Sequence, residues 1–311
     1  MLPITDDFEA QTARYWSAER QRQSFGAKRL ILTPTTAPRL LRRLGLLNGD
    51  SSMNHASLRK FLQINHLLSL LEPHLKELAH RFSPLTILDA GCGKSYLTFL
   101  LAWYFTEKLP HAVEILGIDH QSKIIASCRR IAEDLSMSSV SFHASSVSTF
   151  EWQSFSSEGQ KPRRLNAVFA LHACDTATDH ALALGMSLKA DLIGAAPCCQ
   201  AELAQWWKER APYLPEHPLR SIFHSPNIRR EMGAHCTDML RVLMLRSRGY
   251  QVTATEFIPS EHTPKNRLIS AVRRGNYLTA ARDEYEALKQ ALGGPTLAIE
   301  SIVNQEGNRG S

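Results

Sequence analysis

No run of about eighteen apolar residues interrupts the 311-residue chain, so a membrane-spanning helix is not expected. The opening MLPITDDFEAQ is acidic and has no apolar segment, which argues against a secretory leader. The six cysteines (Cys92, Cys128, Cys174, Cys198, Cys199 and Cys236) show no framework spacing and contain no Cys-x₂-Cys pair. Their scatter points to a reducing, cytoplasmic setting rather than to a disulfide scaffold. No internal repeat is found. What remains is a composition of 43% hydrophobic and 21% charged residues. That is the balance of a globular protein with a core large enough to need no cross-links, in one large domain or one average domain with an appendage.

Charge is unevenly spread along the chain. Residues 1–82 hold twelve Lys and Arg against seven Asp and Glu, so about +5 of the formal net charge of +6 lies there. The segment reads as mainly helical, broken at LTPTTAPRL and at NGDSSMNH, the second supplying capping residues before Leu58. From Leu58 the positions Phe61, Leu62, Leu68, Leu71, Leu75 and Leu78 keep helical spacing. Pro73 is expected to kink or divide this helix. A different stripe carries His55, Arg59, Gln63 and His66. A basic segment of this kind suits a polyanionic partner, RNA above all, with Arg42, Arg43, Arg59 and Lys60 as phosphate contacts and Gln63 and His66 beside them. A solvated helix surface would look the same.

From Leu85 short apolar strands alternate with amphipathic stretches. The strands are expected at 86–89, 113–119, 140–144, 167–171, 191–196, 251–258 and 268–272. Such alternation implies βαβ units and a mostly parallel sheet. Only PSEHTPKNR separates the last two strands, too little for a crossover helix, so they should pair antiparallel. Three divisions follow: a basic helical segment over 1–82, an α/β domain over 83–292, and a tail over 293–311 expected to be disordered.

The strongest local signal is LTILDAGCGK, residues 85–94. A buried strand runs into an acid and two closely spaced glycines and then into a helix, as a cofactor lying against the backbone requires. A dinucleotide fingerprint would place a third glycine at position 96, where Tyr96 stands. A phosphate-binding P-loop would need glycine at 88, where Leu88 stands. An acid two residues before Gly-x-Gly is the pattern of S-adenosylmethionine (SAM) sites. Asp89 would then face the cofactor's methionine end, directly or through water, with Gly91, Gly93 and Lys94 also in the cofactor set. The next strand ends in Asp119, placed to accept both ribose hydroxyls, with His120 after it. Asp119 could instead cap the following helix. Ser145 and Ser146 after the third strand would lie near the adenine, and Leu171 after the fourth completes the cofactor set.

Five parallel strands and a terminal antiparallel hairpin resemble the class I, Rossmann-like methyltransferases: an α/β fold with a seven-stranded mixed sheet, here with an N-terminal helical segment. DAGCGKSYLTFLL, LHACDTATDHAL, APCCQ and EHTPKN narrow the likeness. Through them the chain, from Leu85 to about Arg273, resembles a methyltransferase-domain family. Its eukaryotic relatives include the glutathione S-transferase C-terminal-domain-containing protein and the ribosomal RNA adenine dimethylase domain-containing protein. The resemblance implies a SAM-dependent transferase and leaves the substrate open. The Asn-x-Pro-[Tyr/Phe] motif of adenine N6 enzymes is absent.

Ligands of open α/β sheets bind beyond the carboxyl ends of the strands. LHACD, APCCQ and EHTPKN follow the fourth, fifth and sixth strands. His172, Asp175, Cys198, Cys199, Lys265 and Asn266 are therefore the candidate catalytic residues. Methyl transfer needs in-line positioning and, where the acceptor loses a proton, a base, for which Asp175 or His172 is suited. Cys174 with Cys198 or Cys199 loosely echoes the covalent cysteines of cytosine-5 enzymes, without the preceding proline. A metal site from His172, Cys174, Cys198, Cys199, His235 and Cys236 is disfavoured because adjacent cysteines rarely chelate one zinc, so no metal is expected. The expected function is SAM-dependent N- or O-methylation of RNA in the cytoplasm. Methylation of a protein or small molecule, or an inactive SAM- and RNA-binding scaffold, is the alternative.

Overall fold

The computed structural model describes residues 6–26, 28–152, 164–171, 176–197, 200–256 and 267–309. Four helices come first: α1 (Asp6–Tyr15), α2 (Ala18–Phe25), α3 (Pro38–Arg43) and α4 (His55–Arg81). Then follow β1 (Leu85–Ala90), α5 (Tyr96–Trp103), β2 (Val113–Asp119), α6 (Ser122–Asp134), β3 (Val140–Ala144), β4 (Ala167–Ala170), α7 (Thr176–Ser187) and β5 (Leu192–Ala195). The chain continues through α8 (Glu202–Arg210), α9 (Arg220–His224), α10 (Pro226–Ser247), β6 (Tyr250–Glu256), β7 (Arg267–Arg273), α11 (Thr279–Ala291) and α12 (Ala298–Arg309).

The seven strands form one sheet in the order β3-β2-β1-β4-β5-β7-β6. Strands β1, β4 and β5 pair in parallel, while β7 lies antiparallel between β5 and β6. This is the mixed, Rossmann-like sheet of class I methyltransferases, and the terminal hairpin pairs as its short link requires. β1, β4 and β5 are buried along their whole length, as strands covered on both faces must be.

The chain packs as two compact units. One comprises Met1–Leu85, Gly93–Gly117 and Gln121–His143; the other comprises Thr86–Cys92, Ile118–His120 and Ala144–Ser311. In the first, Trp16 stacks on Phe25 at 5.3 Å between centroids, and Phe25 lies 5.2 Å from Phe61 of α4. Buried Asn65 accepts the backbone N–H groups of Ile31 and Leu32, both at 3.0 Å, so the turn before α3 leaves no orphan donor there. Helix α4 is capped by Asn54, whose side chain accepts the Ser57 N–H at 2.8 Å. It runs through Pro73 without division. Burial of Leu67, Leu68, Leu71, Leu75 and Leu78 along one face offsets the hydrogen bond that proline removes.

In the second unit α7 comes unusually close to β5. A Cβ on Gly185 would lie 2.7 Å from the Ile193 side chain, so any larger residue would force that side chain to move. The tail expected to be disordered from 293 instead forms α12, which packs against α7. Leu297, Ile299, Ile302 and Val303 are buried. Glu300 receives the Tyr285 hydroxyl and the Lys289 ammonium, each at 2.6 Å. Those buried aliphatic groups, set before a polar end, are what the polar end concealed in the sequence.

Candidate active site

The glycine loop adopts the backbone its sequence demands. Gly91 and Gly93 take φ values of 70° and 52°, and Ser95, which precedes α5, takes 57°. Among the described residues nothing lies within 4 Å of a Cβ built on Gly93. Asp89, at the end of β1, is 3% exposed, and Asp119, at the end of β2, is 7% exposed.

Within the second unit the strand ends are laced together by backbone bonds. The Cys92 N–H reaches the Ile118 carbonyl at 2.9 Å, the Ser145 N–H reaches the Asp119 carbonyl at 3.0 Å, and the Ala196 N–H reaches the Ala170 carbonyl at 3.0 Å. Asp119 is therefore held by both neighbours. His120 lies outside it, with Nδ1 3.4 Å from the Asp119 carboxylate. Ser145 is half-buried, and the Ser146 hydroxyl bonds that of Ser148 at 2.8 Å. Leu171 is buried at the end of β4. Within the second unit, buried Asp89 and Asp119 thus stand at the ends of adjacent strands, where open α/β sheets take their ligands.

The candidate catalytic residues His172, Asp175, Cys198, Cys199, Lys265 and Asn266, together with Cys174, lie outside the described residues. Their flanks carry a feature that the sequence reading missed. Arg241 of α10, 1% exposed, makes a two-pronged bond to Asp179 of α7 at 2.7 and 2.9 Å. It also reaches Asp238 at 3.4 Å. Asp238 accepts Gln200 Nε2 at 3.2 and 3.3 Å and Arg267 at 3.0 Å. Arg267 in turn donates to His235 Nδ1 at 2.9 Å. One buried network thus ties residues that follow each of the three segments: Asp179 after 172–175, Gln200 after 198–199, and Arg267 after 257–266.

Burial pushes the Asp238 carboxyl above its ordinary pKa, against the lowering influence of Arg241, Gln200 and Arg267. Burial also works against the Arg241 charge, but the bonds to Asp179 and the charges of Asp179 and Asp238 outweigh it and hold its pKa up. The one signal for this network in the sequence is an arginine inside the apolar run Met239–Leu245. His235 and Cys236 of the disfavoured metal set are here a partner of Arg267 and a thiol whose pKa burial raises.

The basic N-terminal candidates divide. Arg43 has a buried side chain and pairs with Asp134 of α6 at 3.3 Å. Arg42 donates to the Leu47 carbonyl at 3.0 Å. Both therefore have internal partners within the first unit, which the sequence could not show. Arg59 and His66 are exposed, and Lys60 and Gln63 are half-buried. Lys60 places its ammonium 4.8 Å from the Tyr96 ring centroid, and Tyr96 donates its hydroxyl to the Leu44 carbonyl at 3.1 Å.

Residues 59–206 match the sequence model of a family described as a methyltransferase domain. The chain is 26% identical over 211 residues to a glutathione S-transferase C-terminal domain-containing protein homolog of Drosophila melanogaster. That match covers 59% of this chain and 32% of the relative, so the chain spans about a third of its length. Among solved structures it is similar to an rRNA methylase from Streptococcus thermophilus, at 10% identity and a TM-score of 0.39, over 61% of this chain and 87% of that one. It is also similar to the N-terminal domain of EvdMO1 with SAH bound, at 15% identity and a TM-score of 0.33, over 50% and 62%. With the family match, the sheet order and the glycine loop together, the chain carries a methyltransferase domain of the SAM-dependent family.

Proposed function

We propose that this chain methylates RNA, moving the methyl group of SAM to a nitrogen or oxygen of a nucleotide. The observation that carries the cofactor half is the burial of Asp89 and Asp119 at the ends of adjacent strands. The RNA half rests on the basic excess of residues 1–82 and on the exposed Arg59 with Lys60, Gln63 and His66 near it on α4. Arg42 and Arg43, with partners of their own, serve the fold first. The acceptor's proton goes to Asp175 or His172, and the sulfur keeps the electron pair of the broken S–CH₃ bond. Cys198 and Cys199 shape the acceptor pocket after Pro197 without bonding the substrate, and Lys265 and Asn266 complete the candidate catalytic set.

Calorimetry with S-adenosylhomocysteine (SAH) tests the cofactor half: wild type binds, and Asp119→Ala loses affinity about tenfold or more, as loss of a charged hydrogen-bonding partner requires. Tight NADH binding with no SAH binding would sink it. Mass-spectrometric profiling of nucleosides from a deletion strain tests the RNA half, which predicts one methylated nucleoside missing. Unchanged RNA alongside a lost protein or small-molecule methylation would move the substrate to those classes.

A further inference from the structure

Helix α4 brings a lysine to the start of α5, the helix that the glycine loop opens. Lys60 is half-buried against the Tyr96 ring, and Lys94, exposed, stands two residues before Tyr96 and directly after Gly93. Burial first, and then the charge of Lys94, hold the Lys60 pKa below its ordinary value. Among the described residues neither lysine has a carboxylate within ion-pair distance. Ser95, at the N-terminus of α5, makes no side-chain capping bond. The hydroxyl of Tyr96 is tied to Leu44, which fixes the ring on which Lys60 rests. Two neighbouring cations, one of them sheltered from water and held by a fixed ring, lack the negative charge that would balance them.

We propose that Lys60 and Lys94 together bind one oxyanion beside the glycine loop. The chemistry suits either of two sources: the α-carboxylate of the cofactor's methionine end, or a phosphate of the nucleic-acid substrate. Only the second source rests on the RNA reading above. Lys94 belongs to the loop and Lys60 to the helical segment, so the site makes that segment part of the methyltransferase machinery. The family match, which begins at residue 59, includes Lys60 as well as Lys94.

The test uses Lys60→Met, Lys94→Met and the double variant of the full chain, with Lys60→Arg and Lys94→Arg to keep charge. Three ligands are titrated: SAH; 5′-methylthioadenosine, which lacks the carboxylate; and a short single-stranded RNA at several salt concentrations. Melting curves confirm folding. A loss of about tenfold for SAH with methylthioadenosine unchanged, restored in the arginine variants, identifies the carboxylate. A loss of about tenfold for RNA with a shallower salt slope and unchanged SAH identifies the phosphate. If wild type binds no RNA, the RNA reading fails and the SAH arm still decides the site. A folded double variant that binds SAH and RNA like wild type overturns it. So does a loss that strikes methylthioadenosine equally, because that ligand carries no oxyanion.

Discussion

Arg241 is the side chain that the second unit can least afford to lose. It is 1% exposed and satisfies Asp179 at two points while touching Asp238. Arg241→Met would leave two buried carboxylates without their main cation, at a cost of about 3–5 kcal/mol. Arg246, five residues along α10, pairs with Glu284 at 3.1 Å with both side chains exposed. Arg246→Ala should cost under about 1 kcal/mol. Urea unfolding of the two variants gives the comparison, and equal costs would contradict the network's importance. The pH dependence has a definite sign. Asp238 already has a raised pKa in the folded state, and losing Arg241 raises it further. A folded carboxyl with a raised pKa binds more protons than its unfolded counterpart as pH falls towards its ordinary value of 3.8. The Arg241→Met deficit should therefore be largest at neutral pH and shrink on acidification. A deficit that grows in acid would show that the carboxylates are stabilised by something other than Arg241.

Among the elements, α12 is the one whose contribution the sequence least announces. Ile299 and Ile302 are 1% and 8% exposed. Each Ile→Ala change should cost about 2–5 kcal/mol, as in other closed cores, lowering the denaturation midpoint without changing the slope. A change under about 0.5 kcal/mol would mean that the helix is marginal after all. Most strands were legible as short apolar runs, and several have a clear stop: Gly91 follows β1, Asp119 closes β2 and Pro197 lies just beyond β5. Helix α4 was legible apart from Pro73, whose effect depends on how much apolar surface the helix buries on either side. Helices α8, α9 and α10 were not legible. Helix α10 keeps Ile228, Met232 and Met239 exposed while burying Leu240, Val242, Leu243 and Leu245, so its apolar residues do not trace one clean stripe. The cofactor loop could be read because a tight backbone leaves its mark as glycines. The network around Arg241 joins residues up to 62 positions apart, which no local pattern encodes.

At the scale of the molecule, cofactor and substrate recognition should separate. Of the cofactor candidates, Asp89, Gly91, Asp119, Ser145 and Leu171 belong to one compact unit and Gly93 and Lys94 to the other, which also holds the substrate candidates Arg59, Gln63 and His66. A ligand that binds only the native state stabilises it by an amount set by its concentration relative to Kd. At a hundredfold excess over Kd this is about 2.7 kcal/mol. SAH at that level should therefore raise the unfolding free energy of wild type by about 2.7 kcal/mol. At the same SAH concentration a tenfold loss of affinity in Asp119→Ala should cut the gain to about 1.4 kcal/mol. Arg59→Glu should keep the full gain, because the charge it reverses is exposed on α4 and lies outside the cofactor set. Its effect belongs to RNA: weaker binding, and a logarithmic salt slope reduced by about one for the lost phosphate contact. Thermal or urea unfolding with and without SAH, alongside RNA titrations at several salt concentrations, measures both sides on the same three proteins. Loss of the SAH gain in Arg59→Glu, or its full retention in Asp119→Ala, would show that the two recognition tasks are not divided along these lines.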